Sequence, residues 1–215
     1  IAINVAVYLI ASLAGGGLVS GGQGELMLRG QLWGPAVANG GEWWRIITGG
    51  FLHAGMLHLM MNMVFIWILG SQLEPVLGRA RFAALYFVCL LCGSLGSLIV
   101  APNTPVVGAS GAAFGLLGAA IVMARRRRVD IWSSGLMPAL VINLVMTFLV
   151  PGIAIGGHIG GVLGGLGAGW ALEEIDERSG RASSLVAAVV MGVAVFGLTL
   201  VVADQTAAQP AMFGY

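Results

Sequence analysis

Long apolar runs, separated by short breaks that hold most of the polar residues, dominate the pattern of the chain, and seven runs can be counted. A helix needs about 17–25 apolar residues to cross ~30 Å of hydrocarbon. The fourth to sixth runs are shorter than the others and rich in glycine. The pattern predicts an all-α, polytopic transmembrane helix bundle. The runs are 1–18, 57–77, 82–101, 110–123, 135–150, 157–172 and 185–202.

The composition supports this class. Hydrophobic residues make up 58% of the 215 residues, 35 residues are glycine, and only 9% are charged, against about 25% charged residues in soluble domains. A net charge of +1 leaves no cationic excess to neutralise phosphates, so no nucleic-acid partner is expected. Cys89 and Cys92 lie three residues apart in an apolar run, which disfavours a disulfide framework or a zinc knuckle.

All ten basic residues are arginine, and their distribution predicts the topology. Alternating loops place eight arginines on one side and only Arg29 and Arg45 on the other. By the positive-inside rule the N-terminus is cytoplasmic and the C-terminus, after the seventh run, is outside. The quartet 125–128 is interpreted as a topology anchor that also attracts anionic headgroups of the lipid bilayer. Ile1 is not an initiator methionine and no basic stretch precedes it, so we expect a preceding N-terminal segment and no cleavable signal peptide.

A loop of about 35 residues, 20–55, separates the first two runs and is far longer than the 2–8 residues usual between packed helices. We call it the first loop. It carries Trp33, Trp43, Trp44 and Arg45, amphipathic side chains that favour the headgroup level. Part of the first loop is therefore expected to lie in the outer interface.

Few residues in the runs are strongly polar, and such residues are functional candidates because each is costly in lipid. His53, His58 and Asn62 lie around the start of the second run, and His58 and Asn62 share a helix face. Ser110 opens the fourth run, where a helix N-terminus favours a developing oxyanion. A plain N-cap serine is the alternative for Ser110.

His158 opens the sixth run beside a stripe of glycines that recur every four residues: Gly157, Gly161, Gly165 and Gly169. Such stripes let helix backbones approach closely, and Gly111 and Gly115 of the fourth run can face this one. Close packing would place His158 opposite Ser110, as a base beside its nucleophile. A structural histidine and a stripe used only for packing are the alternatives. No HExxH motif and no convincing carboxylate joins the histidines, so neither a metal nor another cofactor is predicted.

Five motifs in register resemble the rhomboid family of intramembrane serine proteases, and the match runs through almost the whole chain. The motifs are Glu42-Trp43-Trp44-Arg45, the H-x4-H-x3-N segment from His53 to Asn62, the Glu-x3-Gly turn from Glu74 to Gly78, the G-x-S-G segment from Gly108 to Gly111, and Gly157-His158-Ile159-Gly160-Gly161.

The resemblance implies a six-helix catalytic core over 1–182, including the first loop, and a seventh helix with an outer tail over 183–215. It implies a catalytic dyad of Ser110 and His158, with an oxyanion hole made by the Ser110 N–H and the side chains of His58 and Asn62. Phe114 stands where the family places an aromatic residue, often tyrosine, against the catalytic imidazole. Supporting roles fall to His53, Gly108, Gly111, Phe114, Gly161 and Gly165, and positioning of the first loop to Glu42, Trp44 and Arg45.

The resulting hypothesis is an intramembrane serine endopeptidase that cleaves single-pass transmembrane substrates near the outer leaflet. A catalytically silent binder of transmembrane helices is the main alternative. A channel or transporter is disfavoured, because the sequence has no ring of charges and no polar path to the cytoplasmic half. Exclusive use of arginine, with abundant Gly, Ala and Val, suggests a GC-rich genome and a bacterial plasma membrane. The sequence fixes neither the substrate nor the oligomeric state.

Overall fold

The computed structural model describes residues 1–17 and 24–207, which form a bundle of helices. Residues 18–23 of the first loop and the predicted outer tail beyond residue 207 lie outside the described residues. The helices are α1 (Ala2–Ala11, continued by a π-helical turn over Ser12–Gly16), α2 (Glu25–Gly30), α3 (Gly34–Ala38), α4 (Arg45–Thr48, followed by a 3-10 turn over Gly49–Phe51), α5 (Met56–Leu77), α6 (Arg79–Val100), α7 (Ser110–Arg126), α8 (Leu136–Leu149) and α9 (Ile155–Ala207).

Three helices of the described residues are long and apolar enough to cross a bilayer: α5, α6 and α9, the last counted over Ile155–Thr206. Shorter apolar helices cover Ala2–Gly15 and Leu136–Leu149. The predicted runs from 57 to 150 match α5 to α8 closely at their N-terminal ends, apart from α6, which begins three residues earlier. The all-α architecture predicted from the apolar runs is confirmed.

The sixth and seventh predicted runs both fall within α9, which is interrupted at Gly180, where φ is 82° and ψ is 172°. The chain reverses there. Arg81 of α6 reaches residues on both sides of the break, with Nη1 2.6 Å from the Asp176 carboxylate and 3.5 Å from the Ser184 hydroxyl. Beyond the break, Phe196 meets Trp43 of the first loop edge to face, with ring centroids 6.3 Å apart. The two parts of α9 therefore run in opposite directions along α6: Gly160 lies beside Cys92 before the break, and Gly192 lies beside Val88 and Leu91 after it.

Glycines bring α6, α7 and α9 into direct backbone contact at the centre of the bundle. A Cβ atom at Gly93 of α6 would lie 2.9 Å from the Gly111 Cα of α7 and 3.2 Å from the Gly157 carbonyl oxygen of α9. A Cβ at Gly161 would overlap the carbonyl oxygen of Gly111, and one at Gly165 would overlap that of Gly115. These contacts match the pairing expected from the two glycine stripes, and they fix the spacing of the helices that carry Ser110 and His158.

Ion pairs join the same helices at the far end from Ser110. Arg126, at the C-terminal end of α7, lies 2.8 Å from Glu174 and 2.7 Å from Glu177 of α9. Arg127 lies 3.0 Å from Glu173, and the buried Arg81 pairs with Asp176. Two members of the arginine quartet thus form ion pairs with α9: Arg126 is half-buried, while Arg127, like Arg125 and Arg128, is exposed.

Candidate functional site

Ser110 is the first residue of α7 and is half-buried. The chain enters the helix through Gly108, whose φ of 122° is a conformation that L side chains rarely adopt. The Gly108 N–H donates to the Gly49 carbonyl oxygen over 2.9 Å, which anchors this turn to the end of the first loop. The first backbone N–H groups of a helix have no partner within that helix, so this turn can stabilise negative charge near Ser110.

His158 is buried, and its imidazole ring stacks on the ring of Phe114. The ring centroids are 3.9 Å apart and the planes are inclined by 18°. Phe114 follows Ser110 by four residues, one turn along the same face of α7. The stack therefore brings the imidazole of α9 to the face of α7 that carries Ser110.

Backbone contacts hold the two helices together immediately beside these residues. A Cβ at Gly111, the residue after Ser110, would lie 3.1 Å from the Gly93 Cα and 3.3 Å from the Gly157 carbonyl oxygen. In the described part of the chain no hydrogen bond joins Ser110 to His158. Catalytic hydrogen bonds are often long before substrate binds, so this geometry is compatible with a nucleophile and its base.

Thr147 of α8 contacts the edge of the imidazole at Nδ1. Its Oγ1 lies 2.7 Å from His158 Nδ1 and donates a hydrogen bond of 2.7 Å to the Asn143 carbonyl oxygen. Sequence reasoning missed Thr147. The signal was weak: a lone hydroxyl in an apolar run, eleven residues before His158.

His58 and Asn62 border the same turn. A Cβ at Gly108 would lie 2.7 Å from His58 Cε1, 2.8 Å from His58 Nε2 and 3.7 Å from Asn62 Nδ2, so both side chains lie beside the Gly108 backbone. Asn62 is buried, and its Nδ2 donates to the His58 carbonyl oxygen over 3.0 Å. These two donors from α5 are close enough to the Ser110 turn to reach an oxygen bound there.

His53 is buried beside His58. Its ring meets that of His58 edge to face, with centroids 5.2 Å apart. The Ala109 N–H donates to His53 Nε2 over 3.5 Å, which is at the long limit for a hydrogen bond. His53 thus contacts both the His58 ring and the residue that precedes Ser110.

A small cavity of about 30 Å³ opens beside Ser110, between α6, α7, α9 and the end of the first loop. That volume is enough for one or two water molecules. Its polar lining comes from the hydroxyls of Ser94, Ser97 and Ser110 together with backbone groups.

Arg45 organises the first loop. Its guanidinium is buried and pairs with Glu42 at 2.6 Å. Its Nη1 donates to the carbonyl oxygens of Leu28 and Gln31 over 2.7 and 2.9 Å, while Trp44 Nε1 donates to that of Arg29 over 3.2 Å. The geometry ties α2 and the chain after it to α4, in the part of the loop where positioning was predicted.

The loop is also paired with the segment that precedes Ser110. Leu32 and Val106 form an antiparallel bridge, with N–H to carbonyl distances of 2.9 and 2.8 Å. The Gly34 N–H donates to the Pro102 carbonyl oxygen over 3.0 Å.

Across residues 1–17 and 24–207, no three His, Cys, Asp or Glu side chains are grouped closely enough to hold a metal ion.

Comparison with known proteins identifies the family. A family model described as "Rhomboid domain" matches residues 40–175, a range that includes the four helices α5 to α8 and both Ser110 and His158. The chain is 34% identical over 166 residues to "Rhomboid protease GluP" of Bacillus subtilis (strain 168), covering 74% of this chain and 31% of that protein.

Two further relatives differ in their stated activity. "Putative rhomboid protease YdcA" of Bacillus subtilis (strain 168) is 39% identical over 126 residues, covering 57% of this chain and 63% of that protein. "Inactive RHOMBOID-like protein 8" of Arabidopsis thaliana is 30% identical over 112 residues, covering 52% of this chain and 32% of that protein. The chain thus spans less than two thirds of the length of these relatives. The family match and the apolar helices together show that this integral membrane chain belongs to the rhomboid family.

Proposed function

We propose that this protein is an intramembrane serine endopeptidase in which Ser110 is the nucleophile and His158 the general base. The observation that carries the proposal is the stacking of His158 on Phe114, one helical turn from Ser110. The stack supports a role for His158 as the base, because it holds the imidazole on the face of α7 that carries Ser110. Stacking uses the face of the ring and leaves both ring nitrogens available for hydrogen bonds.

The reaction follows from these positions. His158 Nε2 accepts the Ser110 hydroxyl proton as Oγ attacks the scissile carbonyl carbon. The tetrahedral intermediate collapses to an acyl-enzyme, and the imidazolium returns its proton to the leaving amine. A water molecule then attacks the ester, transfers a proton through His158 and regenerates Ser110. The cavity of about 30 Å³, which Ser110 lines and His158 does not, has room to hold a water molecule close to the ester.

The oxyanion hole comprises the Ser110 backbone N–H and the side chains of His58 and Asn62. Support comes from the Gly108 backbone, which both side chains border. Donors fixed before the reaction are worth most where charge develops in a site shielded from water. The tight turn at Gly108 and the packing of α5 against α7 hold these groups in place.

The substrates we propose are single-pass transmembrane proteins, cleaved near the outer leaflet of a bacterial plasma membrane. The site lies at the N-terminal end of α7, and the arginines and acidic residues gather at the opposite end of α7 and beside the break at Gly180 in α9. The positive-inside rule puts that charged end in the cytoplasm and Ser110 toward the outside.

Two measurements on one set of variants test the proposal. The first is cleavage of a fluorescent single-pass substrate in proteoliposomes by the unmodified protein, Ser110→Ala and His158→Ala at equal reconstitution. The second is labelling by a fluorophosphonate, which bonds covalently to an activated serine Oγ with loss of fluoride. We expect neither cleavage nor labelling in Ser110→Ala and His158→Ala, and both in the unmodified protein and in Ser183→Ala, which removes a half-buried hydroxyl that donates to the Ser179 carbonyl oxygen.

The catalytically silent binder of transmembrane helices is the competing function, and the similarity to a relative named as inactive favours testing it. Substrate capture without cleavage or labelling, equal in all four proteins, would support the binder and contradict the protease. Labelling of Ser110 without cleavage of the chosen substrate would support an activated serine and point to a different substrate sequence.

A further inference from the structure

The hydroxyl of Thr147 takes part in two short contacts at once, and it has a single proton to share between them. Oγ1 is 2.7 Å from the Asn143 carbonyl oxygen and 2.7 Å from His158 Nδ1. A carbonyl oxygen can only accept, so the hydroxyl proton must lie toward Asn143 for that contact to be a hydrogen bond. The remaining contact is then a hydrogen bond only if His158 Nδ1 carries a proton and donates it to Thr147.

The opposite arrangement is unfavourable. If the hydroxyl donated to an unprotonated Nδ1, two oxygen atoms would face each other at 2.7 Å with no proton between them. Both groups are buried, and Thr147 is 2% exposed, so water cannot relieve that contact. A buried acceptor that loses its donor retains the full desolvation cost.

We infer that Thr147 is a positioning residue that holds His158 in the Nδ1–H tautomer, which leaves the Nε2 lone pair free to accept the Ser110 proton. This inference rests on the proposed function for its consequence, while the tautomer itself can be measured without any activity. In effect a neutral hydroxyl, backed by a main-chain carbonyl, occupies the place that a carboxylate takes in a Ser-His-Asp triad.

The arrangement also supports the charged form of the base. When His158 accepts the proton, its Nδ1–H remains directed at Thr147, and the chain from imidazolium through hydroxyl to carbonyl polarises in one direction. Hydrogen bonds of charged groups are stronger than those of neutral ones. Thr147 therefore contributes more after proton transfer than before, and its loss should lower kcat rather than raise KM.

The position of Thr147 indicates a specific role. It is the one buried residue among the fourteen of α8, all of which are described. Neighbouring apolar side chains of α8, including Val145, Met146, Phe148 and Leu149, are exposed. Among the last five residues of α8, Thr147 is thus the one buried side chain, and its hydroxyl is the group that meets His158.

The decisive experiment uses Thr147→Val, which keeps the side-chain shape but removes the hydroxyl. Loss of a hydrogen bond to a charged group predicts a fall in kcat of about 10-fold to 100-fold, with KM little changed. Thr147→Ser restores the hydroxyl and should recover most of kcat. Thr199→Val is the matched control: Thr199 is also buried and donates to the carbonyl four residues earlier over 2.7 Å, and kcat should not change.

The tautomer is read independently by ¹⁵N NMR of protein labelled in its histidine rings, at alkaline pH where imidazoles are neutral. The His158 signals are assigned by their loss in His158→Ala, which separates them from those of His53 and His58. We expect a protonated Nδ1 in the unmodified protein and in Thr147→Ser, and a mixture of tautomers in Thr147→Val.

The outcomes separate the two proposals. A His158 that is protonated on Nε2 in the unmodified protein would overturn the inference, as would a Thr147→Val variant with unchanged tautomer and kcat. A protein that cleaves no substrate and binds no fluorophosphonate, yet shows the Nδ1–H tautomer lost in Thr147→Val, would contradict the protease while supporting the hydrogen bond.

Discussion

The rings of His158 and Phe114 lie nearly parallel, 3.9 Å apart between centroids, although the two residues belong to different helices. Phe114 also meets Phe65 of α5 edge to face at 6.2 Å. The imidazole thus packs on Phe114, which in turn packs on Phe65 of α5. Since the stacking uses the face of the ring, this contact does not require the hydroxyl of a tyrosine.

Replacing Phe114 by leucine removes this stack while keeping an apolar side chain. Aromatic pairs contribute about 0.5–1.5 kcal/mol beyond their buried area, so we expect kcat to fall by roughly 2-fold to 10-fold. Phe87→Leu is the control, because Phe87 of α6 makes aromatic contacts of its own with Phe51 and Tyr86. Rates measured in proteoliposomes that fall equally in both variants would argue against a specific role for the stack.

The glycine stripe of α9 provides a sharper test of helix spacing. In Gly161→Ala the new methyl group overlaps the Gly111 carbonyl oxygen, so α7 and α9 must separate. Overpacking costs about 1–3 kcal/mol, and the separation displaces His158, three residues away. We therefore expect both a lower melting temperature and a loss of cleavage.

Gly167→Ala on the same helix is the matched control, since no heavy atom lies within 4 Å of a Cβ at that position. Its melting temperature should be unchanged or higher, because alanine favours helix by about 1 kcal/mol over glycine. Thermal unfolding in detergent can be followed by reaction of the buried Cys89 with a thiol-specific fluorophore. Equal melting temperatures in the two variants would mean that the backbone contact is not tight.

Gly108→Ala is expected to abolish cleavage by two effects. The residue has φ of 122°, and the added Cβ would lie 2.7 Å from the His58 ring. Gly135→Ala carries backbone strain without a clash, because Gly135 has φ of 82° and no heavy atom within 4 Å of its Cβ position. Both variants should lose stability, on the order of 1–2 kcal/mol for the strain. Only Gly108→Ala should lose cleavage, and an active Gly108→Ala protein would remove the reason for placing His58 in the oxyanion hole.

Asn62→Ala tests the other side chain that we propose for the oxyanion hole. Removal of one such donor costs about 10²–10³ in kcat, and KM should change little. Gln72→Ala on the same helix removes an amide that makes the same kind of bond: Gln72 Nε2 donates to the Ile68 carbonyl oxygen over 3.1 Å, as Asn62 Nδ2 does to that of His58 over 3.0 Å. Cleavage at an unchanged rate in Asn62→Ala would exclude this amide from the chemistry.

The pattern of apolar positions predicted the helices well, because a helix in lipid must satisfy its own backbone and cover its length with apolar side chains. Ser110 begins α7 and Leu77 ends α5, both as expected. The four-residue glycine spacing likewise predicted that α7 and α9 are in contact, because glycine has no side chain to keep two helix backbones apart. From their pairing the sequence predicted that His158 lies near Ser110.

Other features depend on contacts that no short-range pattern encodes. The hydrogen bond between Thr147 and His158 depends on how α8 is rotated about its own axis. A single hydroxyl in an apolar run does not show which face of the helix is turned toward the bundle. The reversal takes place at Gly180 alone, and the helices on both sides extend into the polar stretch 173–184, so the apolar runs could not show where each part of α9 ends. The short helices α2, α3 and α4 are held largely by long-range bonds, such as that of Thr48 Oγ1 to the Gly30 carbonyl oxygen at 2.7 Å.

The pairing of the first loop with the segment before Ser110 has a consequence for solvation. Residues 101–109 are not helical, and irregular backbone at membrane depth is tolerated only where protein or water satisfies it. Leu32, Gly34 and Gly49 supply those partners through main-chain bonds of 2.8 to 3.0 Å. The first loop therefore supplies hydrogen-bond partners that water would otherwise have to provide. A shortened first loop would leave backbone groups of residues 101–109 without partners, even though every residue of the site remained in the chain.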